Sequence, residues 1–245
     1  MSPTVVNLIY LIAGILFILG IKGLTKPSTA VRGNQLSSLG MLIAIVVTLL
    51  NAEVVNFTYI IAGGVFGAAV GAFMALRIQM TSMPQMVALL NGFGGGASLT
   101  IALAEYFSVL NVDASSFAEL LVPVALGSGA FGVGGEGQVT LISIGLTILI
   151  GAVTLVGSLV AFAKLQGLIK KNIGLPGGPA GNALLLLGAV IALGCLIISP
   201  NQAVTVITLV ALALLLGLFL VLPIGGADMP VVIALLNSYS GLAAA

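Results

Sequence analysis

Two asparagines are the first side chains in this sequence to suggest chemistry. Asn91 closes the run Met83-Pro-Gln-Met-Val-Ala-Leu-Leu, and Asn237 closes Met229-Pro-Val-Val-Ile-Ala-Leu-Leu. An amide carries two donors and an acceptor, and hydrocarbon satisfies none of them. In an apolar helix it must face the interior, where it joins either an interhelical hydrogen bond or a file of water. It does not titrate, so it can hold water in place but cannot accept a proton. The chain has no histidine and a single cysteine, Cys195, inside an apolar run. A zinc site therefore has no ligand set, and Cys195 reads as a small buried hydrophobe.

The charged candidates are as few. Asp228 lies two residues before Pro230, where a carboxylate can cap the first turn of a helix. The residue at the matching place in the first run is Ser82, also a capping type. Arg77 reads as an anchor at the end of its helix, and Glu105 as a side chain snorkelling to the membrane surface. Gly132-Val-Gly-Gly-Glu-Gly137 fits the dinucleotide fingerprint by letters. That fingerprint has meaning only between a strand and a helix, and here it leads into an apolar span. Gly177-Gly-Pro-Ala-Gly181 lacks the lysine and hydroxyl of a phosphate loop.

The elements that must position these residues are membrane helices. Of 245 residues, 60% are hydrophobic and 5% charged, against about a quarter charged in soluble domains, so lipid is the main solvent. The 33 glycines suit close helix packing, and a net charge of +1 argues against a nucleic-acid partner. Nothing at the amino terminus resembles a cleaved signal. With about 20 apolar residues needed per crossing, spans are expected at 5–21, 37–52, 56–77, 83–106, 139–164, 180–199, 203–223 and from 229 onward. The fold class is all-α, a polytopic bundle of about eight spans.

Charge sorts with this count. The odd connections hold Lys22, Lys26, Arg32, Arg77, Lys164, Lys170 and Lys171, which is every basic residue. The even connections hold Glu53, Glu105, Asp113, Glu119 and Glu136, leaving Asp228 as the one acid on the basic side. The positive-inside rule then puts the amino terminus outside and the odd connections in the cytoplasm. The short apolar run at 117–132, broken by Pro123, is expected to be interfacial or re-entrant. A crossing there would invert every later basic connection.

The two asparagine runs belong to an internal repeat at an offset of 146, covering 56–98 and 202–244. Four crossings separate the copies, so the repeated helices are expected to run parallel from the cytoplasmic side. At 1.5 Å per residue each asparagine lies about 12 Å deep, near the middle of a core about 30 Å thick. Paired, interrupted hydrophobic segments of this kind point to a transport site at mid-membrane.

Several stretches closely resemble the beta subunit of proton-translocating NAD(P) transhydrogenase. They are Lys22-Gly-Leu with Arg32-Gly-Asn34, Met80-Thr-Ser-Met-Pro-Gln-Met-Val-Ala-Leu-Leu90, Ile150-Gly-Ala-Val-Thr-Leu-Val-Gly-Ser-Leu-Val-Ala-Phe162, and Gly225-Gly-Ala-Asp-Met-Pro-Val-Val-Ile-Ala-Leu-Leu-Asn-Ser-Tyr-Ser-Gly241. The resemblance implies proton passage through the membrane coupled to hydride transfer between NADH and NADP⁺ in attached soluble domains. It implies that 1–245 is the proton-translocating membrane domain, cut within its last span. The family's further helix and NADP(H)-binding domain would follow. This portion would then bind no cofactor and carry no catalytic residue, while NADP(H) and NAD(H) sit in the attached domains.

Carried over by position, Asn237 with Ser238, Asn91, and Ser158 with Thr154 fall on the proton path. Some members have a histidine where this chain has Asn91, so any titrating imidazole here would come from a partner. The alternative for Ser158 and Thr154 is a hydroxyl bonded back to its own helix. Asp228 matches the family's acid that communicates with the NADP(H) domain, and Arg77 is grouped with it as a coupling candidate. Implied partners are the alpha subunit, with its NAD(H)-binding domain and additional membrane helices, in a dimer of the whole complex. The implied place is the bacterial plasma membrane. Two rival classes stay open: a secondary transporter of a small solute, and a passive anchor for soluble enzymes.

Overall fold

The computed structural model describes residues 2–51, 57–109, 135–171, 174–175, 177–200 and 203–244. Among these the regular structure is all helical, with eight α-helices. They are α1 (Pro3–Leu24), α2 (Ala30–Asn51), α3 (Phe57–Arg77), α4 (Met83–Val109), α5 (Gly135–Leu165), α6 (Pro179–Ile198), α7 (Ala203–Val221) and α8 (Met229–Ala244). The first seven are long and apolar enough to cross a membrane. The chain is therefore an all-α, multi-pass membrane protein. The run at 117–132, with Asp113 and Glu119, lies outside the described residues, as does Glu53. Gly135–Gly137 of the fingerprint-like stretch lie within α5.

The helices divide into two compact units, 1–77 and 78–245. In the first, α1 and α2 form an antiparallel hairpin whose glycines permit backbone contact. A Cβ on Gly33 would lie 2.6 Å from the Gly20 carbonyl, and one on Gly23 would lie 2.7 Å from Gly33 Cα. This contact extends α2 seven residues upstream of the expected start at 37. The polar turn from 30 to 36 stays helical because α1 supports it, with the Thr29 hydroxyl donating to the Gly23 carbonyl at 2.6 Å. Helix α3 buries none of its residues.

The second unit is a bundle centred on α5, which packs against α4, α6, α7 and α8. Paired contacts fix the directions. Asn91 meets Ser158 and Gly95 meets Gly151, so α4 and α5 are antiparallel. Val153 meets Gly217 and Gly157 meets Val221, so α5 and α7 are parallel. Gly157 also meets Leu236, while Met229 shares a cluster with Val160 and Ala161. Thus α8 is antiparallel to α5 and parallel to α4, the orientation expected of the repeat.

The offset of 146 is visible in the backbone. Helices α4 and α8 start at 83 and 229. Each is preceded by a three-residue 3₁₀ turn, Met80–Ser82 or Gly226–Asp228. The residue before each turn is extended, at φ −75° ψ 152° for Gln79 and φ −69° ψ 152° for Gly225. Met-Pro follows in both copies, and proline at the second helical position needs no amide hydrogen there.

Candidate functional site: a polar layer on α5

The core of the second unit is two apolar clusters with a polar layer between them. One contains Leu99, Ala102, Ile148, Ala152 and Leu209; the other contains Ala88, Val160, Val221, Ile233 and Leu236. On α5 the gap from Ala152 to Val160 holds Thr154 and Ser158, both 0% exposed. On α4 the gap from Ala88 to Leu99 holds Asn91. Asn91 Nδ2 donates to Ser158 Oγ at 2.8 Å, across the helix interface.

Glycines make that short bond possible. A Cβ on Gly95 would sit 2.7 Å from Leu155 N and 2.8 Å from Thr154 Cβ. One on Gly151 would sit 2.8 Å from Leu99 N, and one on Gly92 would sit 3.3 Å from Ser158 Cβ. With backbones this close, an asparagine and a serine span the gap directly, the usual membrane pairing of small residues with a polar bond.

Hydroxyls elsewhere show what the α5 pair does not do. Ser38, Thr48, Thr100 and Thr147 each donate to the carbonyl four residues earlier, at 2.7 to 2.9 Å. Such back-bonding satisfies a hydroxyl within its own helix. Ser158 instead takes a partner from α4, and Thr154 Oγ1 is buried with no hydrogen-bond partner. Buried polar groups are nearly always paired, so the Thr154 hydroxyl is a marked exception in this layer.

The other expected residues lie apart. Asn237 and Ser238 are exposed on α8. The buried stripe of α8 runs through Met229, Ile233 and Leu236, and Asn237 stands about 80° round the helix from Met229. The described residues of this chain therefore do not bring Asn237 to Asn91, and the interior expected around Asn237 is not built by them. The backbone carbonyl of Asn237 accepts from Ser240 Oγ at 2.9 Å. Asp228 is exposed and Ser82 half-buried, each at the end of the 3₁₀ turn that precedes its helix. Arg77 is exposed at the end of α3, its guanidinium 5.9 Å from the centre of the Phe73 ring. Cys195, expected to be buried, is exposed on α6; to a helix in lipid its outer face is as apolar as its inner one.

By sequence, Lys164 belongs only with the basic connections. Its side chain is 7% exposed at the end of α5, where its ammonium donates to the carbonyls of Leu222 and Ile224, the latter at 2.6 Å. The nearby Gln85 Nε2 donates to the Leu165 carbonyl at 3.3 Å, and Asn182 Nδ2 to that of Phe219 at 3.3 Å. Polar ties thus close the end of the bundle that carries Lys164. An apolar cavity of about 270 Å³ lies between α4 and α7 at the other end, lined by Leu103, Tyr106, Val206 and Val210 among others. Tyr106 donates to the Pro200 carbonyl at 2.7 Å.

Helices packed through glycines around a half-buried amide and two buried hydroxyls define a polytopic membrane protein with a polar layer inside its apolar core. The sequence profile described as NAD(P) transhydrogenase beta subunit matches residues 6–245. Two curated chains named NAD(P) transhydrogenase subunit beta, both from Rhodospirillum rubrum, are each 38% identical over 237 residues. The alignment covers 96% of this chain and 47% of each relative. The chain belongs to the NAD(P) transhydrogenase beta subunit family. It spans about half the length of the curated relatives it matches.

Proposed function

We propose that this chain is the membrane domain of a proton-translocating NAD(P) transhydrogenase. Protons cross it as hydride passes between NADH and NADP⁺ in soluble domains of the same complex. The supporting observation is the Asn91–Ser158 bond with the orphaned Thr154 hydroxyl beside it, enclosed between two apolar clusters. A passive anchor has no use for such a layer, since burying unpaired polar groups in a lipid-solvated bundle is costly. Asn91, Ser158 and Thr154 hold the proton-carrying chain on the α4–α5 side. Asn237 and Ser238, exposed on α8, belong to the same path where a partner's helix covers them. None of these groups stores a proton, so a titrating group on that partner completes the path. Asp228 and Arg77 receive the signal from the NADP(H)-binding domain, and the alpha subunit carries the NAD(H)-binding domain. The complex works as a dimer in the bacterial plasma membrane.

The test is NADH-driven reduction of an NADP⁺ analogue by the complete complex in sealed vesicles with a pH-sensitive dye inside. Ser158→Ala and Asn237→Leu are expected to lower coupled turnover and dye response together, by about tenfold or more. Hydride exchange between isolated nucleotide domains should persist. Full pumping in both variants would move the path out of this chain and leave it an anchor.

A further inference from the structure

The seven basic residues of the chain are not equivalent. Lys22, Lys26, Arg32, Arg77, Lys170 and Lys171 are exposed, as topology anchors should be, while Lys164 is buried. A lysine at a helix end normally runs its stem along the apolar surface and keeps its ammonium in water. Lys164 turns inward and holds the carbonyls of Leu222 and Ile224. These carbonyls follow the last turn of α7, where the helix leaves acceptors unsatisfied and its dipole is negative. Satisfying them does not require a buried cation, which is expensive to desolvate. Anchoring does not require burial either.

Position supplies the reason. The carbonyls that Lys164 grips open the connection Leu222-Pro-Ile-Gly-Gly-Ala-Asp228, and Asp228 lies four residues past Ile224. Leu222 and Ile224 also pack on the second apolar cluster, whereas a Cβ added at Gly225 or Gly226 would touch nothing, so Lys164 is the polar tie at the start of this stretch. On the same rigid helix, Ser158 lies six residues before Lys164, about 9 Å along the axis. The helix also holds α4 at this end, through Gln85 and the Leu165 carbonyl. We propose that Lys164 is the positioning residue that ties the α7–α8 connection to α5, so that movement of Asp228 reaches the Asn91–Ser158 pair. This rests on the proton-conduction reading above and assigns the route by which that path is gated.

The experiment compares Lys164→Met and Lys164→Gln with wild type in the complete complex in sealed vesicles. It reads protons moved per hydride transferred, together with backbone amide exchange over 222–229 in the presence of NADP⁺ or NADPH. Methionine fills the space but donates nothing, and the ratio is expected to fall about tenfold while hydride transfer continues. Exchange over 222–229 should rise and lose its dependence on the nucleotide. Glutamine can donate to the same carbonyls without charge, and its ratio should stay within about threefold of wild type. A wild-type ratio in Lys164→Met overturns the proposal, as does a fall in Lys164→Gln equal to that in Lys164→Met. If Lys164→Met does not assemble, Lys164→Gln decides alone: the segment must keep wild-type protection and the ratio must hold, and loss of either overturns it. Wild-type complex that moves no protons would sink the conduction reading itself, whereas normal pumping in wild type and Lys164→Met alike removes only the role of Lys164.

Discussion

Helices α4 and α8 enter the second unit by the same backbone path. Each follows an extended residue, a 3₁₀ turn and a Met-Pro pair, and each reaches an asparagine at its ninth position. Beyond that point they diverge. Asn91 is followed by Gly92-Phe-Gly-Gly95, which lets α4 close on α5 and brings the amide to Ser158. Asn237 is followed by Ser238-Tyr-Ser-Gly241, whose residues stay at the surface of this unit. A repeat in sequence thus conserves the entry geometry, which is local. The environment of the repeated side chain depends on whether the next turn is bare enough for a neighbour to approach.

The sharpest way to break that comparison uses the matched glycines 95 and 241. Gly95→Ala puts a methyl group 2.7 Å from the backbone nitrogen of Leu155, and backbone cannot swing aside as a side chain can. The helices must separate, at a cost of about 1–3 kcal/mol, with the Asn91–Ser158 bond lengthened as a consequence. Gly241→Ala meets nothing within 4 Å and should be neutral or stabilising by up to about 1 kcal/mol, since alanine suits a helix better. Thermal unfolding in detergent, followed by size-exclusion elution, separates the two. Equal effects would mean that the repeat copies are packed alike.

The asparagines come next. Asn91→Leu removes an interhelical bond and strands the Ser158 hydroxyl, for a loss of about 0.6–2 kcal/mol. Asn237→Leu changes a side chain that is exposed among the described residues and should alter the stability of the isolated chain by less than about 0.5 kcal/mol. In the complete complex both should depress proton pumping. If Asn237→Leu destabilises the isolated chain as much as Asn91→Leu, then α8 packs its amide inward and the contrast between the copies fails.

Much of this was legible from residue types. The offset of 146 and the parallel run of α4 and α8 follow from charge sorting and self-similarity, and of the about eight spans expected from apolar run length seven helices among the described residues are long and apolar enough to cross. The facing of individual side chains was not legible. Lipid and protein core are about equally apolar, so a membrane helix shows little contrast between its buried and outer sides. Asn237 was therefore expected inside, as Asn91 was, and Cys195 was expected buried. Lys164 was hidden for another reason. Its loop position satisfied the positive-inside rule, and nothing in a count of charges separates a lysine that points at water from one that grips two carbonyls. The start of α2 at Ala30 escaped because run length measures hydrocarbon thickness, whereas helix ends are set by tertiary support.

The smallest expected effect carries the most information about the polar layer. Thr154→Val keeps the shape of the side chain and removes a hydroxyl that has no partner. A buried hydroxyl without a hydrogen bond costs stability, so its removal should raise stability by up to about 1 kcal/mol, read as a higher midpoint in thermal unfolding. Most core substitutions do the reverse. If Thr154 serves only packing, pumping by the complete complex should be unchanged or improved along with stability. If the hydroxyl belongs to the proton path, the two readouts must move in opposite directions, with a firmer protein that pumps less. That opposition separates function from fold at a single oxygen atom, and a Thr154→Val protein that is both firmer and fully active would restrict the path to Asn91 and Ser158 on this side of the bundle.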